Sequence, residues 1–199
     1  MALREEILSA MRAAAEERLS PKRMRHTAGV EDTAAKMAER LGLSSDGILK
    51  VRAAAILHDI TKECTADEQL ALCSRFSLPL TAHDRAAPDT LHAITGAAYA
   101  RFLFPEDVDD EIYGMIRYHT TGKENMTAEE KILFLADYME PGRSYPACRA
   151  LYDRFFGGDA LDDCTLSALE QTLRYVTEKG GCLHPASLAA RDFLLLHQK

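Results

Sequence analysis

Apolar residues recur along this chain at helical spacing, and no stretch alternates convincingly as a half-buried strand would. Leu3, Ile7, Leu8, Met11 and Ala15 predict a helix from residue 3 to about 19. Ser20-Pro21 reads as an N-cap followed by proline in the first turn, opening a helix to about Leu41 with Gly42 as its stop. Val30, Ala34, Met37 and Leu41 share a face of that helix near His26. Ser44 or Ser45 caps a third helix carrying Ile48, Val51, Ala54, Ala55 and His58. Thr65 to Glu68 fits a capping box and opens a short fourth helix. Residues 76–90, with Pro79 and Pro88, read as irregular, and a connection this long suggests a lid or pocket wall.

Asp89 is the expected cap of the next helix, which holds His92 and runs through Tyr99 to about Phe104. Asp107 or Asp109 starts another, through Ile112, Met115 and Ile116, ending near His119. A polar turn, Thr120 to Lys123, precedes a second capping box, Thr127 to Glu130. Ile132, Leu133, Leu135 and Ala136 follow, with Asp137 at the far end, before Glu140-Pro141-Gly142-Arg143 breaks the helix. Helices near 146–156 and 161–179, and a last one from Pro185, complete the chain. The expectation is an all-α protein of about nine or ten helices in one domain.

Composition narrows the classes. The 199 residues suffice for a full core, and 47% hydrophobic with 28% charged is a soluble, globular balance. The net charge of −7 argues against a nucleic-acid polymer as partner. No apolar run reaches about 18 residues, and the N-terminus lacks the order of a secretion signal, so no membrane span and a cytoplasmic location are expected. The five cysteines are widely spaced and read as reduced thiols.

The chemistry concentrates in Leu57-His58-Asp59. A helix that buries Ala54, Ile56 and Leu57 has little reason to end in an imidazole and a carboxylate unless a metal ion sits there. Nitrogen and oxygen together suit iron, manganese, zinc or cobalt. Two ligands are too few, and His26, His92, His119 and Asp137 are the further candidates, each beside apolar residues that can carry it inward. Any one of these histidines alone would be an ordinary buried side chain with a satisfied hydrogen bond. The order His, His-Asp, His, His, Asp is far more specific than its parts.

That order, carried by Arg25 to Val30, Leu57 to Lys62, Leu91 to Gly96, Ile116 to Gly122 and Phe134 to Arg143, resembles the HD-domain metal-dependent phosphohydrolases, and most closely their YqeK-type branch. The resemblance implies one domain over residues 1–199, with a motif core at 20–143 and C-terminal helices at 146–199. It implies iron as cofactor, one or two ions, with manganese or cobalt as substitutes. It implies symmetrical hydrolysis of dinucleoside tetraphosphates to two nucleoside diphosphates such as ADP or GDP. His26, His58, Asp59 and Asp137 match the basic metal set, and His92 and His119 the added histidines of two-metal members, with Asp59 bridging. Asp59 and Asp137 would also orient the attacking water.

Phosphate needs cations besides metal. Lys62 lies one turn past His58, and Arg143 follows the turn after Asp137; Arg25 and Lys123 adjoin His26 and the Thr-Thr-Gly turn. Thr120 and Thr121 offer hydroxyls and backbone amides. The second His-Asp pair, His83-Asp84, has no apolar helix behind it and reads as exposed or lid-forming. His184 and His197 read as structural or surface residues. Tyr113, Tyr118, Phe134 and Tyr138 offer walls for a base, though their spacing fits core packing better. The competing functions are a nucleotidase or phosphodiesterase with the same metal site, and a nucleotide sensor with little turnover. A homodimer is compatible with the sequence, which shows no interface for it.

Overall fold

Capping chemistry sets where the helices begin. In the computed structural model, which describes residues 3–197, the Ser20 hydroxyl accepts from the Arg23 amide and opens α2, Pro21–Arg40. Ser44, rather than Ser45, caps α3, Ser45–Leu57, and Asp109, rather than Asp107, caps α7, Asp110–Tyr118. Thr65 and Thr127 form both expected capping boxes, opening α4, Ala66–Arg75, and α8, Ala128–Met139. The other helices are α1 (Glu5–Glu16), α5 (Ala82–Ala86), α6 (Leu91–Leu103), α9 (Pro146–Gly157), α10 (Leu161–Glu178) and α11 (Pro185–His197). Among the described residues there is no strand. None of the described helices is long and apolar enough to cross a membrane.

Three expectations need correction. There are eleven α-helices among the described residues, not nine or ten. The extra one, α5, lies in the segment expected to be irregular, because Thr81 and Asp84 form a capping box with Asp in place of Glu. Asp89 does not cap α6: a 3-10 turn, Pro88–Thr90, precedes that helix, and Asp89 contributes its carbonyl oxygen instead. His83-Asp84 is not an exposed pair. His83 is exposed, but Asp84 is buried, bonding the Thr81 amide and hydroxyl and lying 3.1 Å from His184 Nε2. That bond ties α5 to the start of α11.

The core follows from α3. Its C-terminal half, Ala53 to Leu57, is fully buried, so the helix is apolar on every side there and must lie between others. It packs against α2, α7 and α8. Val30, Ala34 and Met37 of α2 and Ile132, Leu133 and Leu135 of α8 belong to the same buried cluster, with no exposure. Truncating Leu57 to alanine here should cost about 2–5 kcal/mol. One buried cluster runs from Leu3 to Leu194, so the C-terminal helices share the core. The consequence for chemistry is that the chain leaving α3 emerges in the interior, carrying His58 and Asp59 with it. The five cysteines are free.

Candidate metal centre and adjoining cavity

Helix ends converge on one point. His58 is the C-cap of α3 and His119 the C-cap of α7. His92 sits in the first turn of α6, Asp137 in the last turn of α8, and His26 within α2. Asp59 is at the centre. Its Oδ2 lies 3.3 Å from His58 Nε2 and 3.7 Å from His26 Nε2; its Oδ1 lies 3.4 Å from His92 Nε2 and 3.8 Å from His119 Nε2. His26 Nε2 is 3.0 Å from Asp137 Oδ1. Three triads have ligand atoms mutually within 4.8 Å: His26-His58-Asp59, His58-His119-Asp137 and Asp59-His92-His119.

The other ring nitrogens decide what these can do. His58 Nδ1 donates to the Ala55 carbonyl at 2.6 Å, His92 Nδ1 to the Asp89 carbonyl at 2.8 Å, and His119 Nδ1 to the Ile116 carbonyl at 2.7 Å. His26 Nδ1 lies 3.1 Å from the Glu140 carboxylate. A carbonyl can only accept, so the proton is on Nδ1 and each Nε2 presents a lone pair inward. The Nε2 atoms of His26 and His58 are buried and make no hydrogen bond of acceptable direction. His92 and His119 point their Nε2 atoms at each other across 3.2 Å, an unfavourable meeting of lone pairs without a cation. Orphaned inward nitrogens around a buried carboxylate fit a divalent metal.

Electrostatics agree. Burial, His119 and Lys62 hold His92 well below its ordinary value, and burial and His58 bring His119 to about 4, so both are neutral, the ligating form. His58 moves up: burial opposes this, but the carboxylates of Asp59 and Asp137 outweigh it. Burial would raise Asp59 as well, yet the surrounding histidines hold it well below its ordinary value. Positive charge is therefore favoured at this point.

Several neighbours complete the site. Lys62 Nζ lies 3.3 Å from both ring nitrogens of His92, and the Thr120 hydroxyl 3.2 Å from His92 Nε2 and 3.1 Å from His119 Nε2. Arg143 bonds Asp137 Oδ1 at 2.6 Å and its carbonyl at 2.8 Å. The structure does not bring Arg25, Thr121 or Lys123 to the cluster. Arg25 is exposed on α2 and has no partner among the described residues; Thr121 donates to the Gly122 carbonyl; Lys123 is paired with buried Glu130 at 2.9 Å. Two participants escaped the sequence reading. Arg23 lies 3.0 Å from Asp59 Oδ2, and Glu140 orients His26. Arg23 stands three residues before His26, hence on the same helical face, whereas Arg25 does not.

A cavity of about 600 Å³ opens beside the cluster, with His119, Thr120, Asp137 and Arg143 at one end. Phe134 and Tyr138 of α8 line it, as do side chains of α10. Its size is that of a small-molecule site.

Residues 23–142 match the HD domain family. The chain is 35% identical over 186 residues to a symmetrical bis(5'-nucleosyl)-tetraphosphatase of Halalkalibacterium halodurans, covering 91% of this chain and 93% of that one. It is 31% identical to the protein of the same name from Bacillus subtilis, over 96% and 97% of the two chains. A solved Clostridium acetobutylicum structure, described as a predicted HD superfamily hydrolase involved in NAD metabolism, superimposes with a TM-score of 0.87 at 28% identity, covering 96% of this chain and 97% of that one. HD domains are a metal-dependent phosphohydrolase fold. The chain belongs to this HD-domain family, in its YqeK-type branch.

Proposed function

We propose that this chain hydrolyses dinucleoside tetraphosphates, diadenosine tetraphosphate among them, symmetrically to two nucleoside diphosphates, with iron as its metal. The observation that carries the reading is the buried cluster of inward Nε2 atoms around Asp59, opening on a cavity of nucleotide size. Its support from outside is the shared name of relatives matched over nearly their full length.

His26, His58, Asp59, His92, His119 and Asp137 would hold the metal. Bound there, it lowers the pKa of water and neutralises charge on phosphoryl oxygens. The protein's own groups do the rest. Asp137 Oδ1 is engaged by Arg143 and His26, and with Asp59 this carboxylate would orient the attacking water. Arg23 fixes the Asp59 carboxylate. Lys62 and the Thr120 hydroxyl bind phosphate oxygens above His92 and His119, and Arg143 does so on the cavity side. A nucleoside diphosphate half occupies the cavity, so attack falls at the middle of the tetraphosphate.

The test is chromatographic analysis of the products from diadenosine tetraphosphate and iron-loaded protein. ADP alone is expected. ATP plus AMP, or no turnover by protein shown to contain metal, would overturn the reading.

A further inference from the structure

The cavity has a second end that the metal chemistry does not use. Helices α8 and α10 lie side by side and run in the same direction, because Lys131 pairs with Asp162 at 2.6 Å and, further along both, Tyr138 meets Gln171 at 2.9 Å. Beyond Gln171 the same face of α10 presents Tyr175 and then Glu178, both lining the cavity. Seven residues of helix carry this stripe about 10 Å past Gln171. Tyr145, at the N-cap of α9, lines the cavity too.

We propose that Gln171, Tyr175 and Glu178, with Tyr138 and Tyr145, form the nucleobase subsite for one half of the substrate, an inference that rests on the nucleotide hydrolase reading above. Tyr145 and Tyr175 are 63% and 54% exposed, so core packing does not account for either, yet both line the cavity that reaches His119 and Asp137. Tyrosine rings of this kind stack on a base of any sequence. Gln171 is oriented by the Tyr138 hydroxyl, which donates to its Oε1; its Nε2 donor makes no bond among the described residues and is available to an acceptor nitrogen or oxygen on the base edge.

Charge sets the direction in which a nucleotide lies. Arg143 stands at the cluster end. At the far end Arg174 and Glu178 offset each other, and the one further cation, Lys179, lies over the Tyr175 ring at 5.8 Å, away from the proposed metal ligands that hold phosphate at the other end. Glu178 accepts from an exocyclic amine or a ribose hydroxyl. Phosphate therefore lies against the metal centre and the base against α10. No sequence motif announces this subsite, since its members come from α8, α10 and the N-cap of α9 and two of its three rings are exposed.

The experiment is calorimetric titration of metal-loaded protein with ADP and, separately, with inorganic diphosphate. Tyr175→Ala and Gln171→Leu are compared with the unaltered chain. Stacking on one ring predicts that Tyr175→Ala weakens ADP by about tenfold, with diphosphate affinity and melting temperature kept. Gln171→Leu weakens ADP in the same selective way. With diadenosine tetraphosphate, KM rises by more than kcat falls. Unchanged ADP affinity in both variants, or equal losses for ADP and diphosphate, would overturn the subsite. If the chain cleaves the dinucleotide but both variants bind ADP as before, only the subsite fails. If ADP binding shows the selective loss but no dinucleotide is cleaved, only the hydrolase reading fails.

Discussion

Glu140 lies outside every ligand triad, and its replacement by glutamine is the sharpest probe of the metal centre. The carboxylate is buried and accepts two bonds: from His26 Nδ1 at 3.1 Å through Oε1, and from the Gly142 amide at 2.6 Å through Oε2. Glutamine has one acceptor oxygen where glutamate has two. If that oxygen serves Gly142, the amide nitrogen faces His26 Nδ1, which must then accept. The imidazole proton moves to Nε2, and the lone pair aimed at the cluster is lost. If the oxygen serves His26 instead, two donors meet at Gly142, and a buried unsatisfied donor costs about 1–3 kcal/mol. Loss of an outer partner of this kind typically weakens metal binding by about 10- to 100-fold, or about 1.4–2.7 kcal/mol. The first route leaves every hydrogen bond satisfied and is therefore the one taken, so the expected result is metal affinity lower by that factor. The assay is metal content, by elemental analysis, after equilibration in chelator-buffered iron or manganese, with melting temperature measured alongside. Glu140→Gln protein that binds metal as tightly as the unaltered chain would refute the claim that Glu140 sets the His26 tautomer.

Other perturbations act at separate points. Asp59→Ala should lose metal and activity together, because it removes the oxygens facing four histidines; full metal content in that variant would sink the assignment. Lys62→Ala should keep metal while raising KM or lowering turnover by roughly tenfold or more, the worth of a charged hydrogen bond to phosphate; unchanged kinetics would return Lys62 to a surface role. Gly29→Ala should also weaken metal binding, since a Cβ there would lie 2.6 Å from Glu140 Oε2 and push the carboxylate off its partners; metal affinity equal to the unaltered chain would show that Glu140 can move without consequence. At the cap of α7, burial would raise Asp109, but the Ile112 amide and Lys50 hold it below its ordinary 3.8. A depressed carboxyl stabilises above its unfolded pKa and stops doing so as pH falls through its folded one. Asp109→Ala should therefore cost about 1 kcal/mol near neutral pH, by urea unfolding, and the difference should shrink below pH 3.8; a pH-independent gap would contradict this.

What the sequence makes legible here is whatever repeats locally. Periodicity and caps placed the helices because each depends on residues three or four apart, as at Thr65 and Glu68. The His58-Asp59 pair stood out because it ends an apolar helix, a local contradiction that burial alone does not explain. Arg23 was also within reach: helical phase puts it on the His26 face, whereas adjacent Arg25 turns about 100° away. Other contacts have no such signature. Glu140 looks like part of a helix-breaking turn. Its carboxylate depends on two glycines far apart in the chain, Gly29 and Gly142, where an added Cβ would come within 2.6 and 2.8 Å of it. The Asp84–His184 bond joins residues 100 positions apart. Lys123 was misplaced for a similar reason: Glu130, visible as a capping residue, bonds the Thr127 amide through one oxygen and holds Lys123 with the other.

These hidden contacts share a physical character that explains their function as well as their invisibility. Three of the proposed ligand histidines are set by backbone carbonyls one turn away, a device any helix end supplies, so the imidazoles at the ends of α3, α6 and α7 orient themselves. His26 sits inside a helix, where the carbonyls are already bonded, and has no such partner. It needs an acceptor from elsewhere, and Glu140 supplies it from beyond the end of α8. The same turn also carries Arg143 back onto Asp137. One short break in the chain thus orients a histidine and an aspartate of the centre together, which is why a change at Glu140 should be felt at the metal rather than in the fold.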